Sequence, residues 1–162
     1  MPVIPEVKMK VPIVSRWVSV VLLPVAIGCS SQPSKPDQTG LAPCPDSPNC
    51  VSSLATKEGQ RVAPLPYEGD GPAAMQKLLA LVKTMPRSRV VDVQPQMIQV
   101  EFHTPIFKFK DDVTFWLDEP NKVIHLRSAA RSGYYDFGVN RKRAQAIARL
   151  WHNQEQGASR EQ

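Results

Sequence analysis

The 162 residues are 42% hydrophobic and 22% charged, ordinary proportions for a globular chain long enough to bury one core. The net charge of +5 falls to +3 once residues 1–28 are set aside, because they hold three of the 20 basic and one of the 15 acidic residues. So mild a surplus argues against a nucleic-acid-binding surface.

The N-terminus reads as an address. Lys8, Lys10 and Arg16 precede "WVSVVLLPVAIG", an uncharged run from Trp17 to Gly28. A basic segment followed by a short apolar one is the layout of an export signal. The run is twelve residues long and interrupted by Pro24, too short to span a bilayer comfortably as a helix. It ends "AIGCSS", which resembles the lipobox of bacterial lipoproteins, although Ala26 stands where leucine is usual. The resemblance implies that residues 1–28 are removed and that Cys29 is acylated, with palmitate among its chains, to become the mature N-terminus. An uncleaved hydrophobic anchor is the alternative, and the start could be Met1 or Met9. Either way the domain is expected outside the cytoplasm, tied to a membrane and facing the periplasm. Ser30 after the cysteine, where aspartate would signal inner-membrane retention, points to the outer membrane. Residues 29–43, polar and rich in Ser, Pro and Gly, read as a flexible tether.

With Cys29 assigned to lipid, Cys44 and Cys50 remain as a pair in an oxidising compartment, and a structural disulfide is expected. A zinc site would need two more ligands, and His103, His125 and His152 fall at no finger-like spacing. A redox pair more often reads C-x-x-C. No metal or cofactor is expected.

The globular domain is placed at 44–152. "LATKEGQRVAPLPYEGDG" has no sustained period and reads as an extended surface segment. A helix follows, capped by Asp70 or Gly71, with Pro72 in its first turn and Pro86 ending it. Met75, Leu78, Leu79 and Val82 form its apolar stripe. Strands are predicted at Arg89–Val93, Met97–His103, Asp111–Asp118 and Lys122–Ser128. A turn centred on Pro120–Asn121 would pair Leu117 with Ile124 and Phe115 with Leu126, and on the other face Trp116 with His125 and Thr114 with Arg127. A second amphipathic helix begins near Val139 or Asn140, with Ala144, Ile147, Ala148 and Trp151 on one face. From residue 153 to 162 a polar, disordered tail is expected. The predicted class is α+β: an antiparallel sheet of about four strands flanked by two helices, in the order helix, four strands, helix, preceded by the disulfide loop.

"CPDSPNCVSS", "FKFKDDVTFW" and "LRSAARSGYYDFGVNRKRAQAI" together resemble the bacterial and plastid family known as domain of unknown function 1499. Arg127, Ser128, Arg131, Gly133, Asp136, Gly138, Asn140, Arg141 and Arg143 match its last motif, while Ala130 replaces the usual serine. The resemblance runs from about Pro43 to Trp151. It implies a fold family and no activity.

Chemistry must therefore come from the residues. Arg141, Lys142 and Arg143 crowd the start of the second helix, where the macrodipole disfavours cations. Something negative should compensate. One reading is internal, with Asp111, Asp112 and Asp136 pairing Arg127, Arg131 and Arg141. The other is an anion site in which these arginines and Asn140 receive a phosphate or carboxylate. No G-x-S-x-G, H-E-x-x-H or glycine-rich phosphate loop occurs. Ser128 and His125 fall on opposite strand faces, as do Asp111 and Asp112. No catalytic residue is therefore assigned. The expectation is a binding or scaffolding module of the cell envelope, recognising a small anionic ligand or an acidic partner surface. The alternative is an envelope hydrolase using Asp111, Asp112 or His125.

Overall fold

Strict alternation of apolar and polar residues builds the centre of the sheet, as seen in a computed structural model that describes residues 40–104 and 108–158. Two units divide the chain, 1–33 and 34–162, and every described residue lies in the second. Cys29, the signal segment and most of the tether lie outside the described residues. In chain order the elements are β1 (Cys50–Ser52), a 3-10 turn (Glu58–Gln60), β2 (Leu65–Pro66), α1 (Gly71–Thr84), β3 (Ser88–Gln94), β4 (Met97–His103), β5 (Lys110–Asp118), β6 (Val123–Ala130) and α2 (Val139–Ala158). The sheet runs β1-β6-β5-β4-β3, with β2 also on β6 and every strand pair antiparallel.

The class is α+β with two helices, and the sheet has six strands where about four were expected. β1 and β2 are three and two residues long, too short to carry a period of two. They become strands only because β6 offers its outer edge. Cys50, Val51 and Ser52 pair with Ala129, Ser128 and Arg127, and further along Leu65 and Pro66 pair with Ile124 and Val123. Ser53 fills the gap between them: its amide donates to Leu126 O at 2.9 Å, and Leu126 N donates to Ser53 Oγ at 3.0 Å. An otherwise unpaired edge is thereby closed.

The hairpin between β5 and β6 takes the register that matches apolar to apolar: Leu117 faces Ile124, Phe115 faces Leu126, Trp116 faces His125 and Thr114 faces Arg127. Its turn is centred on Pro120–Asn121 and closed by Lys122 N donating to Glu119 O at 3.2 Å. Asp118 accepts from the Asn121 side chain at 2.8 Å. β3 carries a bulge between Val90 and Asp92, which is why "RVVDV" does not alternate cleanly.

Both helices lie on the same side of the sheet. Asp70 caps α1, accepting from Ala73 N at 3.0 Å. Met75, Leu78 and Val82 turn inward as predicted, Leu81 is buried with them, and Leu79 packs half-buried against the same core. From α2, Ala144, Ile147 and Trp151 join one core with Ile98, Val100, Phe102, Val113, Phe115, Leu117, Ile124 and Leu126. Trp151 Nε1 also donates to Pro66 O at 2.7 Å, tying β2 to the helix.

Two predicted boundaries move. The tether was expected to run to residue 43, but Leu41 is already buried, and a Cβ on Gly40 would touch Met97 and Trp116 at 3.6 Å. Burial of Leu41, worth about 1.5–3 kcal/mol, and the link at Cys44 hold the segment against the fold. At the other end α2 continues to Ala158, past residue 152. Its last turns need no apolar stripe, and Glu155 reaches back to Lys77 of α1 at 3.4 Å.

Cys44 and Cys50 form a disulfide. Chain entropy for a loop of about seven residues gives about 2.4 kcal/mol, and Pro45 and Pro48 already stiffen that loop when unfolded. The Cys44→Ala/Cys50→Ala variant is expected to fold and to lose about 1–2 kcal/mol in urea unfolding. An unchanged midpoint would mean that the loop is held by its hydrogen bonds alone.

Candidate functional site

The stretch at 44–53 is far in sequence from the two that lie within 107–147, and all three carry the family resemblance and meet at one end of the sheet. Alternation decides which side each residue serves. Asp111 of β5 and Ser128 of β6 face the helices with the core, while Asp112 and Arg127 face the open side.

On the helix side, fully buried Asn140 at the start of α2 is the hub. Its Oδ1 accepts from Ser128 Oγ at 2.6 Å and from Arg143 Nη1 at 2.7 Å. Its Nδ2 donates to Asn49 O at 3.1 Å and to Asp136 Oδ2 at 2.9 Å. Asn49 in turn bonds to Gly133 O through its side-chain amide. Arg143, nearly buried, pairs with Asp111 and lies 4.9 Å from the centre of the Phe102 ring.

The anion expected at the start of α2 is internal. Asp136 accepts from Gly138 N at 3.0 Å and from Asn140 N at 2.8 Å, which caps the helix and offsets the cations in its first turn. Gly138 takes φ +73° to let the chain turn back onto that carboxylate. Arg141 reaches away and donates to Gly59 O at 2.7 Å and Arg61 O at 3.0 Å.

On the open side Glu101, 1% exposed, gathers cations from β3, β5 and the loop after β6, and His103 of its own strand. Arg89 Nη2 lies at 3.0 Å and His103 Nε2 at 3.2 Å from Oε1; Arg131 Nη1 lies at 2.7 Å and Lys110 Nζ at 3.5 Å from Oε2. Arg131 also forks onto Asp112 at 2.8 and 2.6 Å, and that pairing raises its already high pKa despite the opposing effect of burial. Burial pushes the Glu101 carboxyl up, but Arg89, Lys110 and Arg131 outweigh it and hold the group below its ordinary value.

Arg127 is different. It lies opposite Thr114 on β5 and Ser52 on β1, half-buried, and its enclosed Nε has no hydrogen-bond partner among the described residues. Burial lowers its pKa from the ordinary guanidinium value, and the nearby charge of Asp112 partly restores it.

The predicted pairing of Asp111, Asp112 and Asp136 with Arg127, Arg131 and Arg141 is therefore rearranged. Asp111 takes Arg143, Asp112 takes Arg131, Asp136 takes backbone amides, Arg141 takes carbonyls, and Arg127 takes none of the carboxylates. Asn49, Glu101, Arg89 and Ser53 were not singled out from sequence. The register of β3 on β4 sets Arg89 opposite Glu101, and with that register in hand the pair could have been found.

The hydrolase residues do not converge. Asp111 and Asp112 face opposite sides. His125 lies four pairing positions from Ala129, the partner of Asp112, about 13 Å along the strand. His125 instead stacks on Trp116 at 5.7 Å, with Ser53 Oγ 2.9 Å from Nδ1 and Asp118 Oδ2 3.4 Å from Nε2. These are the residue types of a nucleophile, base and acid. Ser53 Oγ also accepts Leu126 N–H at 3.0 Å, so the same chain of bonds completes the edge of β6. Among the described residues no group of three or more His, Cys, Asp or Glu could hold a metal, and no helix is long and apolar enough to cross a membrane.

A family model described as "Protein of unknown function (DUF1499)" matches residues 40–150, well over half of the chain. No curated protein and no solved structure matches it.

Because Glu101 titrates lower when folded, its contribution is fully present above the ordinary glutamate value of about 4.3 and is lost as pH falls through the lower folded value. Glu101→Gln is expected to be less stable than wild type at pH 7, with the gap narrowing below about pH 4. Urea midpoints between pH 7 and 3 check this; a gap that stays constant would remove the charge cluster as its cause.

Proposed function

We propose that this chain, which belongs to the DUF1499 family, is an envelope-anchored binding module whose open sheet face takes an anionic group at Arg127. The observation that carries the reading is the state of that guanidinium. Arg131, Arg141 and Arg143 are committed to carboxylates or carbonyls, while Arg127 keeps an enclosed nitrogen without a partner among the described residues. A half-buried cation left unpaired costs stability. A carboxylate or phosphate docked on the part of the guanidinium that water reaches would neutralise its charge, although the enclosed Nε lies out of a ligand's reach. Asp112 limits the site to ligands that outcompete its field, which suits a small anion or an acidic side chain on an envelope partner. The distances between Asp111, Asp112 and His125 favour binding over hydrolysis.

The anchor belongs to the same proposal: export through residues 1–28 and acylation of Cys29, with the domain facing the periplasm, more readily from the outer membrane than the inner. The Cys44–Cys50 disulfide supports an oxidising compartment. Chain recovered from membranes is expected to carry a diacylglycerol and an N-acyl group on Cys29 in its intact mass, and an unmodified Cys29 would discard the lipid anchor.

Thermal unfolding in inorganic phosphate, against chloride at matched ionic strength, tests the site. Phosphate at a hundred times its dissociation constant would stabilise wild type by about 2.7 kcal/mol. Arg127→Met is expected to fold at least as stably as wild type without ligand and to lose the phosphate response. A variant that unfolds, or one that responds like wild type, would make Arg127 a structural residue.

A further inference from the structure

The loop after β6 holds three large rings in water. Tyr134 is 73%, Tyr135 60% and Phe137 78% exposed, all within four consecutive residues. Elsewhere the exposed large apolar residues include Val91, Val93 and Leu150, scattered as on any surface. The loop is not loose. Asp136 bonds to Gly138 N and Asn140 N, and Gly133 O is held by Asn49. Phe137 takes φ +55°, a conformation that a phenylalanine adopts at a cost. Tyr135 and Phe137 meet edge to face at 5.1 Å. Beside them opens a cleft of about 420 Å³, lined in part by Phe109, Tyr135, Phe137 and Val139. The fold thus pins an aromatic tip outward.

The charges around the tip decide what it fits. Its carboxylates are already engaged: Asp111 by Arg143, Asp112 by Arg131 and Asp136 by backbone amides. Lys108, next to Phe109 of the cleft wall, and Lys142, whose amide donates to Gly138 O at 2.9 Å where the loop enters α2, both have exposed side chains. What this end of the molecule presents to a partner is therefore apolar rings, two phenol hydroxyls and positive charge. Phenols and aromatic rings partition to the boundary between headgroups and acyl chains, and lysines beside them are drawn to anionic lipid phosphates. An apolar protein groove would use the rings and leave both the hydroxyls and the lysines unmatched.

We infer that the 132–138 loop is a membrane-contacting tip, with Tyr134, Tyr135 and Phe137 seated at the headgroup boundary of an anionic bilayer and Lys108 and Lys142 against its phosphates. The tip rests neither on Arg127 nor on acylation at Cys29. It orients the domain on the membrane, end of sheet downward, by a second contact separate from the N-terminus.

The full chain carries the apolar run 17–28, and burying such a run in lipid is favourable, so the readout must be local. Hydrogen exchange of amides 132–137 is compared with and without vesicles of phosphatidylglycerol and phosphatidylethanolamine. Exchange there is expected to slow several-fold, and to slow less on phosphatidylcholine vesicles. Tyr135→Ser/Phe137→Ser is expected to lose the effect while amides of α1 and α2 exchange as in wild type, showing that the fold is kept. Unchanged exchange at 132–137 in vesicle-bound chain would overturn the inference and leave the tip to a protein partner. Equal slowing on phosphatidylcholine would overturn the assignment to an anionic surface.

Discussion

A single buried amide ties this fold together. Asn140 has two acceptor positions and two donor hydrogens on its side chain, and all four are used, by Ser128, Arg143, Asn49 and Asp136. Those partners come from β6, α2, the disulfide loop and the aromatic loop. A buried polar group in a dry interior is costly unless every bond is made, each unmade bond leaving about 1–3 kcal/mol uncompensated. Displacing any one of the four segments would therefore strand polar groups belonging to the others. The hydrophobic core sets how tightly helices and sheet pack, but this node fixes which end of the sheet the disulfide loop covers and in what direction the loop 131–138 leaves it.

The two sides of the sheet follow different electrostatic logic. Toward the helices, Asp111 and Arg143 are both nearly dry, and their pairing is matched by bonds to Asn140 and contact with Phe102. Toward the open side, Glu101 is the dry partner and its cations are half-exposed, so one carboxylate is neutralised by long side chains that keep their heads near water. Arg131 bridges Glu101 and Asp112 across β4 and β5, and this leaves Arg127, four residues earlier in the chain, with Asp112 as a field and not as a bonding partner. The unpaired guanidinium is a consequence of that competition: Asp112 cannot fork onto both arginines, and Arg131 has the better geometry.

The disulfide and the Asn49 bonds act on the same short loop, at different levels. The covalent link limits the unfolded loop, while Asn49 places the folded one, through Ala130 N at 3.1 Å and through Asn140. Ser53 continues that work at Leu126, in the gap between the stretches of β6 that the two short strands pair with. Extended segments with no periodicity of their own thereby become part of the sheet, held by side chains at fixed places.

The sequence by itself determined what depends on period and local sterics. Alternation in residues 97–103, 111–118 and 122–128 fixed three strands and the register of the central hairpin, because a slip of one residue would turn Leu117, Phe115, Ile124 and Leu126 to water. Asp70, Pro72 and Pro86 bounded α1, and the count of cysteines after Cys29 left the pair that forms the disulfide. The motif spanning 127–143 was legible as a place where charge gathers. What only the tertiary structure decided is everything that needs two distant segments at once: the short strands on the edge of β6, the burial of Leu41, the partners of each arginine and the role of Glu101. A carboxylate in a sequence carries no mark of which guanidinium will reach it. That choice is made by strand register and helix placement together, at distances of about 3 Å, where a shift of one residue exchanges one partner for another.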